Sequence, residues 1–149
     1  TTLYVKLVLA IEETKANATI NLKNIYYATG SSQIKQEASS DLNRLVLFLT
    51  DNPSISIEIA SHSDSRGSAA TNLVLSQKRV LEVFNYLNGK GINAKRMRAM
   101  GYGETKLLNK CRDGVKCTEE QHEQNRRTEF KVIGNFHKDS PFVVVRRSC

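Results

Sequence analysis

Two hydrophobic periods run along the chain, and each predicts one kind of element. Apolar residues recur at helical spacing over residues 39–49 and again over 68–88, which predicts two amphipathic helices. The apolar positions expected to be buried in these helices are Leu42, Leu45, Val46, Leu49, Leu73, Val80, Phe84 and Leu87. Between the helices, Ile55, Ile57 and Ile59 alternate with polar residues, which predicts a strand with one buried face and one polar or lightly covered face.

The remaining segments have weaker patterns. Further strands are predicted at residues 3–11, 20–27, 97–102 and 128–133, with a polar connection at 12–18, a loop at 107–118 and a short helix at 119–124. Pro53 ends the first long helix, and Gly89 with Gly91 ends the second. Strands that alternate with helices predict an α/β (α+β) two-layer sandwich, in which a mixed sheet is covered by helices on one face.

Composition fits one soluble core and a basic surface. The chain has 149 residues, of which 40% are hydrophobic and 25% charged, and its net charge is +7. This charge favours an anionic partner such as nucleic acid, acidic lipid or an acidic cell-wall polymer. The basic residues are dispersed, and the chain lacks stacking motifs and a basic recognition helix, so nucleic acid is not expected as a partner.

No apolar run approaches the roughly 18 residues of a membrane span. The chain opens on Thr1, without an initiator Met or signal peptide, as expected of a module from a larger protein. A membrane anchor or export signal is therefore expected outside these residues.

The cysteines leave three possibilities open. Cys111 and Cys117 are close enough to close a small disulfide loop, which an oxidising compartment would permit, or they are free thiols. Together with His122 they could also hold a metal, but the spacing matches no common zinc pattern and a fourth ligand is not apparent. Cys149 is left over at the terminus. We favour the disulfide and expect neither a metal nor a cofactor.

Two short motifs resemble catalytic or nucleotide sites without meeting their geometry. His62, Ser63 and Asp64 are consecutive at a strand end and so point in alternating directions, which prevents a hydrolase triad. The sequence at 101–103 lacks the third glycine of a dinucleotide fingerprint, because position 106 is Lys106, and a turn is predicted instead. Neither paired carboxylates nor a metal site for cleaving a polymer is evident, so an enzyme is not expected.

A polar face on the second long helix is the stronger indication of a site. Asn72, Ser76 and Arg79 follow i, i+4, i+7 spacing and share one face, and Asp64 lies in the turn that leads into the helix. Free backbone N–H groups at a helix start also favour anions. Opposite charges are therefore expected near one cleft. The alternative is that Asp64 orders the turn while Arg79 lies solvated on an exposed face.

The chain resembles the C-terminal domain family of OmpA, which includes peptidoglycan-associated lipoproteins and the flagellar-motor stator anchor. The resemblance covers about residues 20–133 and follows the family motifs Thr/Ser-Asp-x-x-Gly, Asn-x-x-Leu-Ser-x-x-Arg, Gly-Ile, Gly-x-Gly-Glu and Asn-Arg-Arg. The matching residues are Ser63, Asp64, Gly67, Asn72, Leu75, Ser76, Arg79, Gly91, Ile92, Gly101, Gly103, Glu104, Asn125, Arg126 and Arg127. It implies an OmpA-like domain at 20–134, with an N-terminal strand and connection at 1–19 and a tail at 135–149.

The resemblance also implies a ligand. In the family, the Asp and the helix Arg grip the diaminopimelate of the peptidoglycan stem peptide, which corresponds to Asp64 and Arg79, with Asn72 in the same cleft. Lysine lacks the distal carboxylate of diaminopimelate and would leave the Arg unpaired. Further candidate ligand residues are Ser63, Ser76, Tyr27 and Arg127, although Arg127 is expected with Arg126 mainly to support the last strand.

The same resemblance implies a location and leaves a second function open. A periplasmic module tethered to the outer membrane through its parent protein would anchor that protein to the wall. The chain departs from the family pattern after Tyr27, where Ala28, Thr29 and Gly30 follow the tyrosine pair and an aromatic that borders the pocket is missing. This departure motivates the alternative, a scaffold that has lost wall binding and interacts with other envelope proteins.

Overall fold

The computed structural model describes residues 19–22 and 36–135. In chain order these residues form β1 (Thr19–Leu22), α1 (Gln36–Asp51), β2 (Ile55–His62), α2 (Ala69–Gly89), β3 (Met97–Gly103), α3 (Glu119–Glu123) and β4 (Thr128–Asn135). A 3-10 turn at Ala94–Arg96 precedes β3. The predicted strand at 3–11, the connection at 12–18, Tyr27 and the tail beyond residue 135 lie outside the described residues.

The strands form one mixed sheet in the order β1-β4-β2-β3. β2 and β3 are parallel and are joined through α2, whereas β4 runs antiparallel to both β1 and β2. The predicted mixed sheet with helices is therefore confirmed. This topology places the end of β2, the start of α2 and the start of β4 side by side, because Ser61 pairs with Thr128.

The main core lies between the sheet and the two long helices. Leu42, Leu45 and Leu49 of α1 are at most 1% exposed, as their spacing predicts, and Val46 is partly buried against them. From α2, the predicted Val80, Phe84 and Leu87 are buried, whereas Leu73 is only partly buried. Phe48 and Val83 also belong to the core. Ile57 and Ile59 of β2, with Met97 of β3 and Phe130 of β4, are also part of it.

The second face of β2 differs from the prediction. It was expected to be polar or lightly covered, but Ser56 and Ala60 are buried, and Ala60 forms a second small cluster with Met100 and Tyr102. The hydroxyl of Tyr102 donates to the Glu58 carboxylate at 3.0 Å, whereas the buried Ser56 hydroxyl has no hydrogen-bond partner among the described residues. The strand is thus buried on both faces, because its neighbours supply apolar residues to each.

The sequence predicts both a strand at 97–102 and a turn at 101–103; the strand is confirmed and the turn is wrong. Residues 101–103 end β3 and pair with the end of β2. A Cβ built on Gly101 would lie 2.6 Å from the backbone nitrogen of Gln77, so the absence of a side chain lets α2 pack directly on β3. Close packing at this point holds the first half of α2 over the end of the sheet.

Candidate functional site, an arginine-rich cleft

The turn between β2 and α2 is fixed by hydrogen bonds to three parts of the chain. The backbone N–H of Ser63 donates to Gly103 O at 2.9 Å, and its hydroxyl donates to Asp64 O at 2.9 Å. The hydroxyl of Ser65 donates to Cys111 O. At the helix start, Ser68 is the N-cap and accepts from Thr71 N at 3.1 Å. The Ser63 hydroxyl therefore serves the turn, and no hydrolase triad forms.

Asp64 is the central carboxylate of this turn and is 7% exposed. Its Oδ1 accepts from the backbone N–H of Arg66 at 3.0 Å. Its Oδ2 accepts from the guanidinium Nη2 of Arg66 at 2.9 Å and from Nη1 of Arg126 at 2.8 Å. Burial opposes ionisation, but the hydrogen bonds from Arg66 and then Arg126 outweigh it, so the pKa of Asp64 lies below its usual value.

The polar face of α2 packs inward instead of facing water. Asn72, Ser76 and Arg79 are 6%, 0% and 2% exposed, so the alternative of a solvated Arg79 on an exposed helix face is wrong. The side-chain nitrogen of Asn72 donates to Asp64 O at 3.1 Å and to Arg66 O at 2.9 Å, which ties the helix to the turn. The expected ordering of this turn by Asp64 is also present, through its bond to the Arg66 N–H.

These elements enclose a cleft of about 210 Å³. That volume is well above the ~10–15 Å³ that one water molecule requires, so the cleft has room for a polar head group. Its lining consists of Ser63, Asp64, Arg66, Thr71, Asn72, Leu75, Arg79 and Arg126. Of the residues predicted from the sequence, Ser63, Asp64, Asn72 and Arg79 are therefore brought together.

Ser76 and Arg127 occupy other positions. The Ser76 hydroxyl donates to Leu73 O and accepts from Gly103 N at 2.8 Å, which joins α2 to β3 away from the cleft lining. The Arg127 guanidinium donates to Glu129 at 2.6 Å and to Lys106 O at 2.9 Å. Both residues thus support the scaffold, and the ligand contacts predicted for them are not favoured by these positions. Tyr27 lies outside the described residues.

Arg66 and Glu119 belong to the site but were not singled out from the sequence, whereas Arg126 was. Arg66 and Arg126 line the cleft, although Arg126 was expected mainly to support the last strand. Glu119, the first residue of α3, accepts from Arg66 Nη1 at 2.8 Å and from Arg126 Nη2 at 2.7 Å. These hydrogen bonds lower the pKa of Glu119. A sequence signal existed only for Arg126, through the Asn-Arg-Arg motif.

The loop beside the cleft contains a disulfide between Cys111 and Cys117, which confirms that expectation. The free-thiol and metal-site alternatives are therefore wrong, since both sulfurs are used. Across residues 19–22 and 36–135, no group of three or more metal-ligating His, Cys, Asp or Glu side chains occurs. No helix in that part of the chain is long and apolar enough to cross a membrane.

Comparisons with known proteins give one consistent result. Residues 26–126 match the model of the OmpA family. A peptidoglycan-associated lipoprotein from Rhizobium meliloti (strain 1021) is 34% identical over 117 residues, which are 78% of this chain and 63% of that protein. The chain therefore spans less than two thirds of that relative's length.

Solved structures show the same fold. A MotB-like protein from Desulfovibrio vulgaris superposes with a TM-score of 0.70 at 21% identity, with 93% of each chain covered. The cell wall anchor of the type VI secretion system (T6SS) from Pseudomonas aeruginosa superposes with a TM-score of 0.65 at 23% identity, over 89% of this chain and 96% of that one. At these identities the superpositions establish the fold alone.

Proposed function

The chain belongs to the OmpA family, and on that premise we propose that its cleft binds peptidoglycan noncovalently and anchors a larger parent protein to the cell wall. The observation that carries the proposal is the meeting of Asp64 and Arg79 in the lining of one cleft. The name of the relative from Rhizobium meliloti, a peptidoglycan-associated lipoprotein, supports the choice of polymer. The proposed activity is binding, with no turnover, metal or cofactor.

Diaminopimelate is the part of the stem peptide that this cleft suits. Its distal end is an amino acid head group, which presents an ammonium and a carboxylate from one carbon. Asp64 can accept from the ammonium, because each carboxylate oxygen has about two acceptor sites and Oδ1 uses one of them for the Arg66 N–H. Arg79 can present a planar pair of N–H donors to the carboxylate.

Burial of the arginine favours this pairing. Arg79 is 2% exposed, so its guanidinium meets the ligand in a partly desolvated environment where charge-assisted hydrogen bonds are stronger than in water. Ser63 and Asn72 lie on the same lining, and Asn72 holds Asp64 in place through the turn. A ligand that lacks the distal carboxylate, such as a lysine stem, would leave Arg79 without its ligand partner.

The proposed location is the periplasm, with the parent protein tethering the domain to the outer membrane. Peptidoglycan presents many identical stems, so a modest affinity at one cleft is sufficient when several tethered copies face the wall. The net charge of +7 also favours approach to an anionic polymer.

Calorimetric titration with two soluble stem tripeptides tests the proposed specificity. One tripeptide carries meso-diaminopimelate at its third position, and the other carries L-lysine. We expect the diaminopimelate peptide to bind at least about tenfold more tightly, since one charge-assisted contact is lost with lysine. Equal affinity for the two peptides would contradict binding of the distal carboxylate by Arg79. Absence of binding to both peptides would contradict the proposed function.

A scaffold without wall binding is the second candidate, and one observation favours it. Arg66 and Arg126 already donate to Oδ2 of Asp64, so the cleft's carboxylate is engaged by the protein itself. Such a domain would serve envelope assembly through contacts with other proteins. Failure of the wild-type protein to sediment with purified peptidoglycan would select this candidate over the first.

A further inference from the structure

Glu119 is not part of the cleft lining, but its carboxylate is held by two arginines that are. Its Oε2 lies 2.8 Å from Nη1 of Arg66, and its Oε1 lies 2.7 Å from Nη2 of Arg126. Arg66 comes from the turn after β2, whereas Arg126 comes from the segment before β4. Two guanidinium groups from separate parts of the chain thus converge on one carboxylate, an arrangement that binds carboxylates well in proteins.

The charges of the lining are unbalanced toward positive. Arg66, Arg79 and Arg126 contribute three guanidinium groups, and Asp64 contributes the lining's carboxylate. An amino acid head group brings one ammonium for Asp64 and one carboxylate for Arg79, and so adds no net negative charge. In the free protein Glu119 supplies a second carboxylate to Arg66 and Arg126, so a ligand with a second carboxylate complements the lining once Glu119 has moved away.

Glu119 is the most exposed member of its cluster with Arg66 and Arg126, which favours its displacement by a ligand. Its side chain is 59% exposed and that of Arg66 is 47% exposed, so the ion pair between them is solvated and weak. A ligand carboxylate at the same place would gain hydrogen bonds from both guanidinium groups, while Glu119 would regain its hydration. The exchange replaces one carboxylate with another on the same two donors.

From these contacts we infer that Arg66 and Arg126 bind a second carboxylate of the stem peptide, and that Glu119 occupies that carboxylate's position until the ligand displaces it. The inference rests on the proposed function and narrows it. The ligand is a stem peptide in which a second carboxylate is free, and a peptide carrying a carboxamide there is discriminated against. Two carboxylates of the tripeptide qualify, that of the γ-linked glutamate and that of the C terminus.

Titration calorimetry on the full chain with three synthetic tripeptides tests this inference. All contain a γ-linked glutamate followed by meso-diaminopimelate with its distal head group intact. One is the free acid, one has a carboxamide on the glutamate, and one has a carboxamide at the C terminus. We expect one of the two carboxamides to bind about tenfold more weakly than the free acid, which identifies the carboxylate that the arginines bind.

Variants connect that discrimination to the named residues. Arg66→Gln is expected to reduce the affinity for the free acid and to remove most of the discrimination. Glu119→Gln is expected to raise the affinity for the free acid severalfold. The affinity for the more weakly bound carboxamide should change less than twofold. Glu120→Gln, an exposed neighbour with the same charge change, and Arg44→Gln on α1 are the matched controls and should keep the wild-type ratio.

The outcomes separate the two claims. If the wild-type protein binds the free acid and both carboxamides equally, the second-carboxylate inference is overturned while the proposed function stands. If Arg66→Gln raises the affinity for the free acid, Arg66 competes with the ligand ammonium for Asp64, and the inference is overturned as well. If no tripeptide binds, the proposed function fails, and the inference fails with it.

Discussion

At the scale of single residues, His62 is a buried imidazole that makes the free energy of unfolding depend on pH. It is 2% exposed and stacks on Tyr102, with a ring-centroid distance of 5.2 Å. Burial, with the positive charges of Arg127 and Lys106, lowers the pKa of His62 from 6.5 to about 3. The Glu129 carboxylate lies 3.8 Å from Nε2, too far for a hydrogen bond that would offset this.

Because the pKa of His62 is lower in the folded protein than in the unfolded chain, acid destabilises the fold. The unfolded chain takes up the proton near pH 6.5, whereas the folded protein resists it down to about pH 3. The contribution of His62 to the free energy of unfolding is therefore complete above pH 6.5. It is lost as the pH falls below that value, by at most about 1.4 kcal/mol per pH unit for one proton. The lowered pKa values of Asp64 and Glu119 add to this loss mainly as the pH falls through and below their ordinary values of 3.8 and 4.5.

Replacing His62 by phenylalanine should remove most of this dependence between pH 6 and pH 4. The phenyl ring preserves stacking on Tyr102 and does not titrate. Urea unfolding of the wild type and of His62→Phe across this range measures the two slopes. Parallel slopes would show that His62 is not the group responsible.

At the scale of elements, the contact between α2 and β3 depends on Gly101. A methyl group there would meet the backbone of Gln77 at 2.6–2.7 Å, so the helix would have to move away from the strand. We expect Gly101→Ala to lower the free energy of unfolding by about 2–3 kcal/mol, the cost of overpacking against backbone.

Gly89→Ala is the matched control for this change. Gly89 is the last residue of α2, and a Cβ there meets nothing within 4 Å. The free energy of unfolding of Gly89→Ala should stay within about 1 kcal/mol of the wild-type value, since Ala has a higher helix propensity than Gly. Denaturant melts of both variants provide the comparison, and a similar loss in both would refute the close-packing explanation.

The disulfide loop is the second element whose contribution can be measured. Cys111 and Cys117 close a short loop whose Cys111 carbonyl accepts from Ser65 in the turn beside the cleft. The loop-entropy relation gives about 2 kcal/mol of stabilisation for a ring of this size. We expect the double change Cys111→Ser with Cys117→Ser to lower stability by about that amount.

Alkylation without reduction, followed by mass spectrometry, checks the bond itself. Both Cys111 and Cys117 should be protected from the reagent in the untreated protein and labelled after reduction. Labelling of both before reduction would contradict the disulfide and would also remove its support for an oxidising compartment.

The elements were largely predictable, whereas part of the site was not. Helical spacing located α1 and α2 to within a few residues, because the period of buried positions is a local property of the chain. The second buried face of β2 was missed, since its cover comes from residues such as Met100 and Tyr102 on another strand. The alternation of apolar and polar residues within β2 contains no information about which strand packs beside it.

The same distinction applies inside the cleft. Asp64, Asn72 and Arg79 were found because helical spacing and family motifs connect them. The bonds from Arg66 to Glu119 and from Arg126 to Asp64 join residues 53 and 62 positions apart, so no spacing along the chain predicts them. They arise only when the sheet brings the ends of β2 and the start of β4 together.

At the scale of the whole molecule, one cleft of opposite charges on an OmpA-like scaffold accounts for the proposed anchoring. The most direct test is sedimentation with purified diaminopimelate-type peptidoglycan. Asp64→Asn retains an oxygen that can accept from the Arg66 N–H, and Arg79→Lys retains the charge while losing the planar two-point donor. Arg79→Lys therefore probes the ligand contact directly, whereas Asp64→Asn also weakens the hydrogen bonds that Oδ2 accepts from Arg66 and Arg126, so thermal melts of both variants accompany the sedimentation.

We expect wild-type protein to sediment with the wall and both variants to stay largely in the supernatant. Losing one charge-assisted contact costs about 1.5–3 kcal/mol, which lowers a modest affinity tenfold or more. Glu82→Gln on the exposed side of α2 and Arg44→Lys on α1 are the charge-matched controls and should sediment like wild type. If Asp64→Asn and Arg79→Lys melt near wild type and still sediment fully, the cleft does not hold the wall.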